Sequence, residues 1–395
     1  MPFVYWHGFF SENSAADADR QMVDPLTRAE VSMADVVEGR QTCLWFFGPY
    51  DSLGRTAPTD EQRRHLVNRD NPASPFSRFV GNERAVRKLQ AAAFKALGDP
   101  NHIMRDLSFS LYGPASAGKT TLARLYAQVV ELPYAEISPK QVRRLDDVFG
   151  ILSGVMREAG VPLVPSKGRY RLPPCVIFFD EVHALNDHVV QGLLKATEHS
   201  DGIMGTESGR LLDCRFATWF IATTDEGRLF DAFKTRFSPV QLSYLTRAEI
   251  ARIVGLANPH LAPDVCALVA FYNGRVPRKA LEFARYMGIV KMMDPGKSWE
   301  EVARQVAQDE GIDEFGMGEM QLRVLKALAG GPVAAKRLPT LVGRKKEEVE
   351  GYILPTLMCE TEDQPSLVAV SNKGYVLTEA GVGELVRRGV EVAPA

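Results

Sequence analysis

With 395 residues, 45% hydrophobic content and a net charge of −2, the chain has apolar mass for two or three packed cores, and its overall charge gives no field to gather nucleic acid. No apolar stretch approaches the roughly 20 residues that a membrane helix needs, which predicts no membrane partner. The opening MPFVYWHGFF has no basic segment ahead of its short apolar run, and the five scattered cysteines lack CxxC spacing; a cytoplasmic protein with neither zinc site nor disulfides is expected.

Residues 1–70 show no helical or strand period. They carry two aromatic clusters, Phe3, Tyr5, Trp6, Phe9 and Phe10, then Trp45, Phe46, Phe47 and Tyr50. An N-terminal extension is expected here, either packed on the main body or docking a protein partner. After the joint NRDNPASP, the segment PFSRFVGNERAVRKLQAAAFKAL predicts a turn and an amphipathic helix with Val86, Leu89, Ala93, Phe94 and Leu97 on one side.

A strand is predicted over 107–112, and it runs into GPASAGKTT, where Gly113, Gly118, Lys119 and Thr120 fit GxxxxGK[ST]. That pattern predicts a nucleoside triphosphate site. The loop of Gly113, Pro114, Ala115, Ser116, Ala117 and Gly118, running on to Thr121, would turn its backbone N–H groups to phosphate oxygens, and the following helix adds its N-terminal dipole. Lys119 would neutralise the β- and γ-phosphates, Thr120 would place its hydroxyl on Mg²⁺, and Leu122, Leu125 and Val129 would bury the helix. The run Cys175–Phe179 suits a strand buried on both faces, ending in Asp180, placed to hold Mg²⁺, and Glu181, placed to orient or deprotonate a water. Another apolar strand over 217–222 ends at Thr223 and Thr224, either of which can polarise a γ-phosphate or the water. Strands alternating with helical segments predict an α/β domain with a doubly wound parallel sheet.

Residues 246–310 are helix-rich, with TRAEIARIVGLA, DVCALVAFY and RKALEFARYM the clearest stretches, and predict a small helical lid. Beyond Gly311, MQLRVLKALAG, AAKRLPTLVG and KEEVEGYILPTLM predict three short helices. LVAVSNKGYVLT then predicts two strands about a turn at 372–374, completing a winged helix that binds duplex DNA or a protein.

These motifs resemble an AAA+ ATPase, and more closely the RuvB family of Holliday-junction branch-migration motors. The likeness spans roughly residues 75–380 and rests on FVGNERAVRKLQ from Phe79, DEVHAL from Asp180, IATTDEGRLFDAFKTRF from Ile221, GRVPR from Gly274 and GIDEFGMGEMQLRVLKALAGGPVAAKRLPTLVG from Gly311. It implies an AAA+ P-loop parallel-sheet domain over 71–245, a helical lid over 246–312 and a C-terminal winged helix over 313–395. It also implies ATP with Mg²⁺, a homo-oligomeric ring, taken as a hexamer, and duplex or junction DNA met in recombination and repair. Thr223 or Thr224 would be sensor 1, and Arg236 the arginine finger reaching the neighbouring subunit's nucleotide. Arg278 would be sensor 2, with Phe79, Val80 and Pro277 bordering the adenine. Three features depart from the family. SNKGY at 371–375 replaces its basic wing, DGIMGTESGRLLDCRFATWF does not reproduce its hairpin before sensor 1, and Lys234 stands where it has an arginine. The rival expectation is a remodelling ATPase, as in a mobile-element or defence system, whose substrate is a protein docked by the N-terminal extension.

Overall fold

A strand covered on both faces is built mainly from apolar side chains: Cys175–Phe179 (β7) is apolar throughout, Ala217–Thr223 (β10) departs from that only at Thr218 and Thr223, and every residue of both is buried. They form the centre of a five-stranded parallel sheet in a computed structural model that describes residues 21–23, 30–32, 58–98, 108–166, 168–198, 201–224, 231–274 and 276–393. The strand order is β11–β3–β10–β7–β4, with β3 at Phe109–Tyr112, β4 at Tyr134–Ile137 and β11 at Ser238–Gln241. Every pairing is parallel, as the sequence predicted for the α/β domain. Phe109, Tyr126 and Phe220 pack their rings 5.0 to 6.1 Å apart on one face of the sheet.

The chain divides into two compact units, residues 1–114 with 118–242, and residues 243–395 with loop residues 115–117. In the first, Asp60–Val67 (α1) is capped by Thr59 and Gln62, and Gln90 of Glu83–Gly98 (α2) donates to the Val67 carbonyl at 2.6 Å. This helix corrects the reading of 1–70 as unpatterned: it is polar, with Val67 its buried residue, so hydrophobic period gave no signal. Two short strands, Gln21–Val23 (β1) and Glu30–Ser32 (β2), pair antiparallel. Both aromatic clusters of the extension lie outside the described residues, as do Leu107, Asp225, Glu226 and Arg275. Helix α2 buries Val86, Leu89, Ala93 and Leu97 as expected, and Arg63 covers the Phe94 ring.

Two hairpins join into a second, four-stranded sheet of order β5–β6–β9–β8, using Val164–Ser166, Arg169–Arg171, Leu211–Asp213 and Ile203–Gly205. Its tip is clasped to helix α4 (Leu145–Glu158), which follows α3 (Lys119–Val129). Glu207 accepts from the Leu145 and Asp146 amides at 3.0 Å each, and Asp146 accepts from the Ser208 amide at 2.9 Å and hydroxyl at 2.6 Å. Arg210 bonds Asp146 at 2.9 Å and lies over the Phe149 ring.

The second unit holds two separate cores. Helices α7 to α10 (Arg247–Ala257, Pro263–Asn273, Pro277–Met293, Trp299–Asp309) enclose Ile250, Val254, Val269, Phe283, Met287 and Val306. Glu319–Leu328 (α11), Leu338–Val342 (α12), Leu354–Met358 (α13), the hairpin Val368–Ser371 (β12) with Gly374–Leu377 (β13), and Glu379–Arg387 (α14) enclose the other. Val333 bridges Tyr375 as a third strand position, completing the winged helix. Gly374 is required there: at φ 119°, a Cβ would lie 2.2 Å from the Val333 carbonyl oxygen.

Candidate active site

Because β3, β10 and β7 are adjacent and parallel, their C-terminal ends line up. Tyr112 pairs with Thr223, and Ile221 with Phe179, so the loop after Tyr112, the Thr223–Thr224 pair and Asp180–Glu181 share one edge of the sheet. Crevices at the carboxyl ends of parallel strands are where such sheets bind ligands.

The loop is built by backbone conformation. Gly113 has φ 147° and a Cβ there would meet the Leu242 carbonyl oxygen at 2.3 Å; Gly118 has φ 95° and a Cβ would meet the Phe79 ring at 2.8 Å. Ser116 is also left-handed, at φ 63°. Left-handed residues spaced along a loop curl its amides into an anion-binding concavity, and α3 begins directly after it, burying Leu122, Leu125 and Val129. Lys119 is 6% exposed, and its Nζ donates to the carbonyls of Gly113 at 2.8 Å and Pro114 at 3.0 Å. Burial lowers its pKa, against the opposing pull of Glu181 and Asp180. An ammonium has three donors, and a buried one with two on loop carbonyls suits a phosphate as its third partner. Thr120, next in the helix, is half-buried.

Asp180 accepts from the Glu181 amide at 3.1 Å. Burial and the neighbouring Glu181 charge raise its pKa, against the opposing Lys119 charge, which fits a carboxylate awaiting a cation. Glu181 is left-handed, at φ 45° and ψ 50°, a strained backbone for a residue with a Cβ. Its Oε2 accepts from the Thr224 amide at 3.2 Å and hydroxyl at 3.0 Å. Thr223 is buried instead, its Oγ1 2.8 Å from His183 Nδ1, and that nitrogen also lies 3.2 Å from Glu181 Oε2. Two threonines equivalent in sequence thus have different partners. His183 is the member that sequence reasoning did not single out.

Arg236 donates to the Leu194 carbonyl at the end of Asp187–Ala196 (α5) and lies 3.4 Å from Glu198. Lys234, in the short helix α6 (Asp231–Lys234), pairs with Asp231 at 2.9 Å. Phe79 and Val80 are buried where Gly81 and Asn82, at φ 76° and 50°, turn the chain into α2. Pro277 is buried at the first position of α9, and Arg278 is exposed beside it.

The AAA family, described as "ATPase family associated with various cellular activities", matches residues 109–241. The Holliday junction branch migration complex subunit RuvB of Mycoplasma pneumoniae is 23% identical over 325 residues, covering 78% of this chain and 96% of the relative. The RuvB of Granulibacter bethesdensis is 27% identical over 334 residues, covering 78% and 83%. In fold, the chain matches the Thermotoga maritima RuvB Holliday junction branch migration motor with a TM-score of 0.62 at 22% identity, over 80% of this chain and 97% of that one.

The fold and the family match define the class: the chain carries an AAA ATPase domain over residues 109–241 and is an ATP-hydrolysing enzyme. Within it, the resemblance drawn from the motifs holds: the chain is similar to RuvB over most of its length.

Proposed function

We propose that the chain is a ring-forming motor that couples ATP hydrolysis to movement along duplex DNA, in the manner of RuvB at Holliday junctions. The observation that supports this most is the reach of the likeness: it covers 78% of the chain, well beyond the residues shared with other AAA ATPases.

In this reading the backbone from Gly113 to Thr121 binds the phosphates, and Lys119 gives its third donor to a phosphate oxygen. Thr120 and Asp180 would hold Mg²⁺, which would supply positive charge to the phosphate oxygens. Glu181 takes a proton from the water that attacks the γ-phosphorus as the bond to ADP breaks. Thr223 or Thr224 reports the γ-phosphate to that carboxylate, while Phe79 and Val80 border the adenine. Arg278 acts as sensor 2 from a lid bounded near residues 245 and 312. Arg236 lends its charge to the site of the neighbouring subunit, which requires a ring, here a hexamer.

Mixed rings test these roles together. Glu181→Gln rings and Arg236→Ala rings should each be inactive, with Glu181→Gln still binding ATP. Mixing them should restore hydrolysis, because an intact Glu181 then meets an intact Arg236 across some interfaces. Mixed rings with no recovered turnover would remove Arg236 from a role in trans.

A protein substrate is the second reading, favoured by two observations. Lys373 is the only charged residue from Val368 to Leu377, leaving little to contact a DNA backbone. The hairpin tip at 206–210 is already spent on α4.

A further inference from the structure

The ends of β7 and β10 are joined by a small set of side-chain contacts, one of them through an imidazole. Left-handed Glu181 turns the chain into the single 3-10 turn Val182–Ala184, placing His183 Nδ1 2.8 Å from Thr223 Oγ1 and 3.2 Å from Glu181 Oε2. A nitrogen lone pair facing an ionised carboxylate would be repelled, so the proton belongs on Nδ1. It donates to Thr223 and turns its positive end to Glu181. Thr223 is 2% exposed and paired with Tyr112, the residue that leads into the phosphate loop. The Thr224 amide and hydroxyl reach the same Oε2. Among the described residues, every hydrogen bond given to the Glu181 carboxylate falls on Oε2, so Oε1 is the oxygen left to accept from a water.

We propose that His183 is a positioning residue for ATP hydrolysis: it fixes the Glu181 carboxylate to the end of β10, with Oε2 held and Oε1 presented to the attacking water. The proposal rests on the reading of Glu181 as the group that takes the water's proton. No bond is made or broken at the histidine; it acts through orientation, and small misplacement of a reacting group costs about 100-fold in rate.

The test is steady-state ATP hydrolysis beside the affinity for a fluorescent ATP analogue, in full-length His183→Leu, His183→Asn, Thr223→Val and Glu181→Gln. Asparagine restores a donor near the Nδ1 position. His183→Leu should lower kcat roughly 30- to 100-fold with KM and analogue affinity within about threefold, and His183→Asn should recover much of that loss. Combining His183→Leu with Thr223→Val should be no worse than the poorer single variant, since both cut one link. Should the leucine variant fail to bind the analogue, the asparagine variant is judged by the same split. A leucine variant with unchanged kcat, or an asparagine variant no better than leucine, would overturn the proposal while Glu181→Gln stays inactive. Wild-type turnover in Glu181→Gln would instead remove the proton acceptor itself, and the role of His183 with it.

Discussion

Glycine and strained residues in this site are fixed by what stands next to them. At Gly113 the obstacle to a side chain is backbone: the Leu242 carbonyl oxygen lies 2.3 Å from a built Cβ, and φ is 147°. At Gly118 the nearest atoms belong to the Phe79 side chain rather than to backbone. Gly113→Ala should therefore lower stability by about 1–3 kcal/mol in urea unfolding and weaken ATP binding at least about tenfold, with Gly118→Ala milder in stability. Wild-type midpoint and affinity in Gly113→Ala would contradict the loop geometry. Lys119, Thr120, Asp180 and Glu181 were legible in the sequence because strand, turn and side chain follow one another within a few residues. Thr223 and Thr224 were not separable, because successive strand residues point to opposite faces and only the folded sheet decides which meets Glu181. His183 was illegible for a related reason: its partner Thr223 lies 40 positions away.

Among the elements, the long apolar strands announced themselves and the short edge strands did not. Tyr134–Ile137 buries only Ala135 and Ile137 and Ser238–Gln241 only Val240, too few positions to establish a period, and the second carries Pro239, which an edge strand tolerates. Helix α14 closes the winged-helix core through Leu385, and no sequence signal for it was drawn. The hairpin clasp carries a pH dependence. The Ser208 hydroxyl bond, foremost, holds Asp146 below the usual carboxylate range, and the Arg143 and Arg144 amides lower Asp147. For Glu207, desolvation is outweighed by bonds from the Leu145 and Asp146 amides and from His188, and the net shift is again downward. Carboxylates with depressed native values stabilise the clasp above their unfolded pKa, about 4, and lose that contribution as pH falls through the native values. Hydrogen-exchange protection factors of the Leu145, Asp146 and Ser208 amides should hold from pH 7 to 5 and decline only below about pH 4. Loss of protection between pH 7 and 5 would show that these carboxylates do not hold the clasp.

For the whole molecule, a net charge of −2 means that any hold on DNA comes from local basic groups. Arg143 with Arg144, the run at 166–171, Lys336 with Arg337, and 343–346 are among the sequence's basic clusters. Each phosphate contact releases counterions, so binding through such clusters weakens steeply as salt rises. The central claim joins this to the ATPase: DNA must change the rate at which ATP is consumed. Steady-state ATP hydrolysis, measured with and without linear duplex and four-way-junction DNA at two salt concentrations, tests it most directly. The motor reading predicts stimulation by DNA at low salt that falls at high salt. Hydrolysis indifferent to both DNAs at both salts would contradict it and move the substrate to a protein partner.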